Sequence, residues 1–269
     1  MSRLSPGWIR SRTPLRRNFA AHPLAATPIA QVVDHGAFGP AIFDQMNVGS
    51  CWGHAASRGI YQALAIIGKP LSFVPSPDTL YRIARALMRA AGESSGPLTD
   101  SGTDPFYGAQ AFSQFGVKPM GALIQGRNTD CALEHVADEP NMAEIVQGAH
   151  ALIVGAHQIT TTGAQRTADV RTALSAGLPV IIGVNADAAI EDWQAGNAPL
   201  GPPDPNKILG GHMLCLDGYD LTRTGEPFLV ANSWAADYGE AGRLWALPGW
   251  VEDAGAGDFY VLSVTSEAA

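Results

Sequence analysis

The run Asp44-Gln45-Met46-Asn47-Val48-Gly49-Ser50-Cys51-Trp52 constrains this chain more than any other, because a loop of small and polar residues passes there directly into an amphipathic pattern. From that point Trp52, Ala56, Ile60, Ala63, Leu64 and Ile67 recur at helical spacing, with Arg58 and Gln62 between them. Ser50 is placed to cap the start and Gly68 to close the run. Cys51 therefore falls on a first helical turn, among unpaired backbone N–H groups at the positive end of the helix dipole, where thiolate is favoured over thiol. A lone cysteine is most often a small buried hydrophobe. To act as a nucleophile it needs a base, and a group that orients the base.

Seven histidines are available, and His212 has the most telling context. Gly210-Gly211-His212-Met213-Leu214-Cys215-Leu216-Asp217-Gly218-Tyr219 reads as a strand with His212 at its start, after two glycines that permit close approach of another chain. A second strand, Pro227–Ala231, ends in Asn232-Ser233-Trp234. Paired with the first as a hairpin, it would set Asn232 beside His212, with Trp234 shielding their hydrogen bond. Gln45, six residues before Cys51, could fold back over the thiol.

These segments resemble the signature blocks of papain-like cysteine peptidases, in that family's order of Gln, Cys, His and Asn, over roughly Asp34 to Val264. Leu178–Val184 is similar to the family's barrel strand after the central helix, and Tyr238-Gly239-Glu240-Ala241-Gly242 to its turn after Asn-Ser-Trp. The pattern departs at Val48, where the family has a cysteine, at Ala235 in place of glycine, at Tyr238 in place of tryptophan, and at His54, where an aromatic is usual. The missing cysteines resemble bacterial or phage-associated members. The resemblance implies an α+β, two-lobe papain-like fold, a helical left lobe and an antiparallel β-barrel-like right lobe with the active-site cleft between them. Residues 1–33 would be a basic arm, 34–155 the helical lobe, and 156–269 the strand-rich lobe. It also implies acyl transfer: Cys51 attacks an amide carbonyl, Gln45 and the Cys51 N–H hold the oxyanion, and His212, oriented by Asn232, moves protons through a thioester. Ser101, Gly102 and Thr103 on one wall, and Gly210 and Gly211 on the other, would meet an extended peptide, flanked by Trp52 and Trp234. A non-catalytic peptide-binding relative and an acyltransferase with the same residues stay open.

Outside the motifs, helices are expected over Asp78–Ala91, Asp104–Phe115 and Thr167–Ala176, and strands over Val180–Val184, Gly242–Leu247 and Phe259–Val264. Arg82, Arg85 and Arg89 fall off the apolar face of the second helix. Three cysteines leave no disulfide framework, which favours a reducing, cytoplasmic setting, with Cys131 and Cys215 structural. No apolar run approaches the ~18 residues of a membrane span. Cys51 and His54 on one turn, with no second cluster, fall short of a metal site, and no cofactor is implied. His35, His135, His150 and His157 read as solvated or internally satisfied. The first 33 residues carry five arginines and no acid, on a chain of net charge −8. The favoured reading is a flexible arm lying on an acidic body, ahead of a transit peptide or nucleic-acid tail, with residues 18–33 in reach of the cleft. A pI of about 5.3 argues against nucleic acid as partner. The expected partner is a peptide or protein substrate; oligomeric state is not readable.

Overall fold

The computed structural model describes residues 4–5, 7–15, 17–121, 123–124, 127–128, 136–140 and 154–264. Arg3, Arg16, Cys131, His135 and His150 lie outside the described residues.

Helix α1 (Cys51–Ile66) starts at the small-residue loop, as its spacing requires, and is followed by α2 (Pro77–Ala90) and α3 (Pro105–Phe115). Both later helices have proline in the first turn and a side-chain cap, Ser76 accepting from the Thr79 N–H and Asp104 from the Phe106 N–H. Ser50 makes no such cap; its hydroxyl turns inward to His54 Nδ1 instead. Close approach fixes the packing. A Cβ on Gly53 would lie 2.2 Å from the Pro77 carbonyl oxygen, and one on Gly108 2.2 Å from the Trp52 ring.

The second half is built on a seven-stranded antiparallel sheet. Strands β4 (Val154–Ile159), β9 (Gly257–Val264), β5 (Val180–Ala186), β6 (Gly210–Asp220), β7 (Phe228–Ala231) and β8 (Arg243–Ala246) are neighbours in that order, with β1 (Val32–Asp34) on the far end of β6. A separate pair, β2 (Leu123–Ile124) and β3 (Arg127–Asn128), completes the strands among the described residues. Helix α4 (Gly163–Ser175) and the short α5 (Ala188–Asp192) and α6 (Pro248–Glu252) flank the sheet. One apolar cluster joins α1–α3 to Ile181, Met213, Cys215, Tyr260 and Leu262; a second, on the other side, gathers α4 with Val180, Ile182, Leu214, Leu216 and Phe259. This is the alternation of an antiparallel sheet buried on both faces.

Two expectations are corrected by charges that point inward. Arg58 and Gln62, expected on the polar face of α1, are 4% and 0% exposed. Both donate to Asp217, which a bulge between Leu216 and Gly218 turns into the core; the guanidinium pairs with both carboxylate oxygens, at 2.9 and 2.7 Å. On α2, Arg85 is 2% exposed, lies over the Tyr81 ring, and donates to the Thr99 and Val136 carbonyls. The remaining strand and helix starts differ from the sequence reading by a few residues. β4 and β1 were not expected, since neither alternates between polar and apolar positions.

Candidate active site

Cys51, the first residue of α1, is fully buried, and its sulfur receives backbone N–H groups from Cys51, Trp52 and Met213. Met213 follows His212 on β6, so the helical wall meets the sheet wall at this sulfur. The β6–β7 hairpin pairs Cys215 with Ala231, three residues after His212 and one before Asn232, so both lie at the same end of the hairpin. His212 Nε2 lies 2.9 Å from Asn232 Oδ1, beneath the Trp234 ring, whose centroid stacks 5.1 Å away at 20°. His212 Nδ1 is buried with no hydrogen-bond partner.

The loop carrying Gln45 is tied to the same hairpin. Gln45 N–H donates to the Ser233 carbonyl at 2.8 Å, the Ala235 N–H donates to Phe43, and the Ser233 hydroxyl donates to Gln45 Oε1. Gln45 Nε2 donates to the Val48 carbonyl at 2.9 Å, which leaves its second N–H for a ligand. The departures from the family pattern fit locally. Ala235 takes the left-handed conformation (φ 65°) that favours glycine, Tyr238 stands edge-on to Trp234, and His54 packs against Phe43. His54 Nδ1 also bonds the Ser50 carbonyl, and no metal-binding cluster exists among the described residues.

Where the family has a disulfide cysteine, a polar clamp joins the two loops of this wall. Both Asp100 oxygens accept from the Gly49 N–H at 3.0 Å, Tyr81 donates its hydroxyl to Asp100, and that hydroxyl accepts from the Gly102 N–H. Neither Asp100 nor Tyr81 was singled out in the sequence. Val48, in place of a cysteine that would tie this loop down, was the available signal.

Residues 7–9, and not residues 18–33, enter the cleft. Residues 18–31 run outside the cleft against β4 and α4, through Asn18–Gln158 pairing and the Ala30 N–H to Ser175 contact. The cleft holds residues 7–9. Gly7 and Trp8 donate to the Gly211 carbonyl on one wall, while Thr103 donates to Gly7 at 2.7 Å and accepts from Ile9 at 3.0 Å on the other. Gly7 sits on the loop before Cys51 so closely that a Cβ there would lie 2.2 Å from the Gly49 carbonyl oxygen and 2.8 Å from Cys51 Sγ. Of the residues expected to meet a peptide, Thr103 and Gly211 bond this segment, and Gly102 packs beneath it. Ser101 is exposed, and Gly210 is spent on pairing with Ala186. Trp52 is corrected: its ring is fully buried, stacked on Phe112 inside the helical core, because the helix turns it away from the cleft. Trp234 serves as a lid over His212.

Burial shifts the protonation equilibria of both groups. Burial pushes the Cys51 thiol up to about 12, against the lowering effect of its three N–H contacts. Burial holds His212 down at about 4, only partly opposed by the bond to Asn232. Burial thus opposes the thiolate that the helix terminus favours, and it favours the neutral imidazole.

The helices packed on a seven-stranded antiparallel sheet are the papain-like cysteine protease fold, and that is the fold of this chain. Xylellain, a cysteine protease from Xylella fastidiosa, superposes with a TM-score of 0.74 at 20% identity, over 98% of this chain and 97% of that one. Procathepsin B S9 of Trypanosoma congolense (TM-score 0.67, 15% identity, 98% and 87% covered) and digestive procathepsin L 3 of Tenebrio molitor (0.66, 15%, 97% and 76%) are also similar. No family model matches the sequence, and no curated protein does.

Proposed function

We propose that this protein is a cysteine peptidase, which hydrolyses peptide bonds through Cys51, His212 and Asn232 after the N-terminal segment leaves the cleft. The observation that carries this reading is the buried His212 held at Nε2 by Asn232, with Nδ1 unpartnered, on the strand whose next residue touches the Cys51 sulfur. Once water enters, the burial that keeps the pair neutral is relieved. His212 can then take the thiol proton at Nδ1, and the N–H groups around the sulfur favour thiolate. The thiolate attacks the peptide carbonyl; the Cys51 N–H and the second Gln45 N–H would hold the oxyanion. His212 returns its proton to the leaving amine, then draws one from the water that cleaves the thioester. Asn232 keeps the ring in the tautomer and orientation for both steps.

Gly7→Val in the full chain supplies the test, since its side chain has no room over Gly49 and Cys51 and must push the segment out. Gly7→Val is expected to cleave casein and short peptides, with loss of activity in Gly7→Val/Cys51→Ser and Gly7→Val/His212→Ala. Intact-mass evidence that Gly7→Val is folded and binds peptides, yet never cleaves them, would overturn the reading in favour of a binding protein.

A further inference from the structure

Where α1 packs on the β6–β7 hairpin, a cavity of about 10 Å³ lies between His54, Arg58, Cys215, Asn232 and Ser233, room for a single water. Asn232 borders it with an amide that is held at one end only. Oδ1 accepts from His212 Nε2 at 2.9 Å and from the Ser233 N–H at 2.8 Å, so the amide cannot turn over without setting its NH2 against two donors. Nδ2 is buried and meets no acceptor among the described residues. An N–H enclosed in this way is costly unless something accepts from it, and Asn232 as a whole is only 4% exposed. His54 borders the same cavity, at the position where an aromatic ring is usual. Its Nδ1 lies 3.0 Å from the Ser50 carbonyl oxygen, which can only accept, so the ring proton sits there and Nε2 is left as a bare acceptor. Burial keeps the ring in that neutral form, holding it at about 4 against the raising effects of the Ser50 carbonyl and Asp44, and His212 lowers it further.

From this we infer that the cavity binds one ordered water, which accepts from Asn232 Nδ2 and donates to His54 Nε2, and that His54 is thereby a positioning residue for the His212–Asn232 pair. The other walls suit the same occupant. Arg58 spends three of its five N–H groups on Asp217 and Pro40 and has donors to spare, and the Ser233 hydroxyl, which donates to Gln45, keeps lone pairs that can accept. A buried water takes two to four such partners. The chain of bonds then runs from the Ser50 carbonyl through the His54 ring, the water and the Asn232 amide to His212, and it fixes the plane of that amide from both ends. A phenyl ring at position 54 would fill similar space and offer the water no acceptor. The water and its two partners stand on the cavity and the hydrogen bonds; that the ring they orient is catalytic rests on the peptidase reading.

NMR of the isotope-labelled full chain reads the site directly: the Asn232 side-chain amide should show cross-relaxation with a long-lived water, and His54 the Nδ1–H tautomer. Kinetics in the Gly7→Val background read the positioning. Gly7→Val/His54→Phe should lower kcat roughly 10-fold, the worth of one buried hydrogen bond, with KM nearly unchanged. In the same variant the His212 ring nitrogens should report a mixture of tautomers, a change that a loss of packing alone would not produce. Gly7→Val/His54→Gln, whose amide oxygen reaches about as far as Nε2, should restore most of the rate. Added to Gly7→Val/Asn232→Ala, the His54→Phe change should cost nothing further, because the link it breaks is already gone. Circular dichroism of each variant keeps misfolding from passing as lost positioning, and the measurement on the unaltered protein needs no variant at all. A His54→Phe loss of the same size with and without Asn232, no recovery in His54→Gln, or no water at the Asn232 amide of the unaltered protein would overturn the inference. Should Gly7→Val cleave no peptide, the same order of variants in the iodoacetamide labelling rate of Cys51 would uphold the inference while the peptidase reading fell. Cleavage at one rate by all the His54 variants would do the reverse.

Discussion

At the residue scale, hydrogen bonds through Asp100 and Tyr81 hold the loops beside Cys51. The expected consequences are separable. Gln45→Ala in the Gly7→Val background should lower kcat by roughly 10²–10³-fold, as loss of one oxyanion donor typically does, with little change in KM. Asp100→Ala should cost only about 1 kcal/mol in urea unfolding, because Asp100 is exposed, yet lower kcat/KM by roughly 10–10²-fold by releasing Gly49 and Gly102, on the two loops of one cleft wall. Asp100→Asn keeps one acceptor oxygen and should restore most of it. Cys51, His212, Asn232 and Gln45 could be picked out of the sequence because each sits in a short block whose neighbours constrain it. Asp100 could not, since its partners Gly49 and Tyr81 come from other segments and nothing local marks a carboxylate as a clamp.

At the scale of the elements, periodicity located what periodicity governs. The stretch from Cys51 to Ile66 reads as a helix from its spacing, and its first turn follows from the small residues before it. What spacing cannot reveal is a polar residue facing inward. Arg58, one turn from apolar neighbours, reads as solvent-facing until a bulge on a distant strand supplies Asp217. Arg58→Met is therefore expected to destabilise the fold by about 3–5 kcal/mol in urea melts, because it strands a buried carboxylate; Arg58→Met with Asp217→Leu should recover much of that loss. The strand from Val154 to Ile159 escaped because it mixes buried and half-buried positions without alternation, so the period-2 signal is absent. Gly108→Ala should lower stability by roughly 1–3 kcal/mol, since the Trp52 ring has no open space to move into.

At the scale of the whole molecule, the arm, the two halves and the pH dependence form one system. No helix among the described residues is long and apolar enough to cross a membrane. The course of the arm was hidden from the sequence because its partners come from distant segments: Gly183, Gly211 and Asp258 for Trp8, and the Ala254 and Ala256 carbonyls for Arg10. His54 and His212 are both held neutral by burial, at about 4, whereas unfolded histidine titrates near 6.5. Between those values the unfolded chain binds more protons than the folded one, so stability should fall as pH drops from about 6.5 to 4, by roughly 3 kcal/mol per histidine at the lower end. Above 6.5 the effect vanishes; urea midpoints at pH 7.5, 5.5 and 4.5 check it. The most direct test of the central claim, a thiol armed by the imidazole of the opposite wall once the arm is out, is the pH profile of Cys51 alkylation in full-length Gly7→Val, read against Cys215 in the same molecule. The expected result is fast, selective labelling of Cys51 that persists well below pH 7 and disappears in Gly7→Val/His212→Ala. Slow labelling that rises only above pH 8, equal at both cysteines and indifferent to His212, would contradict it.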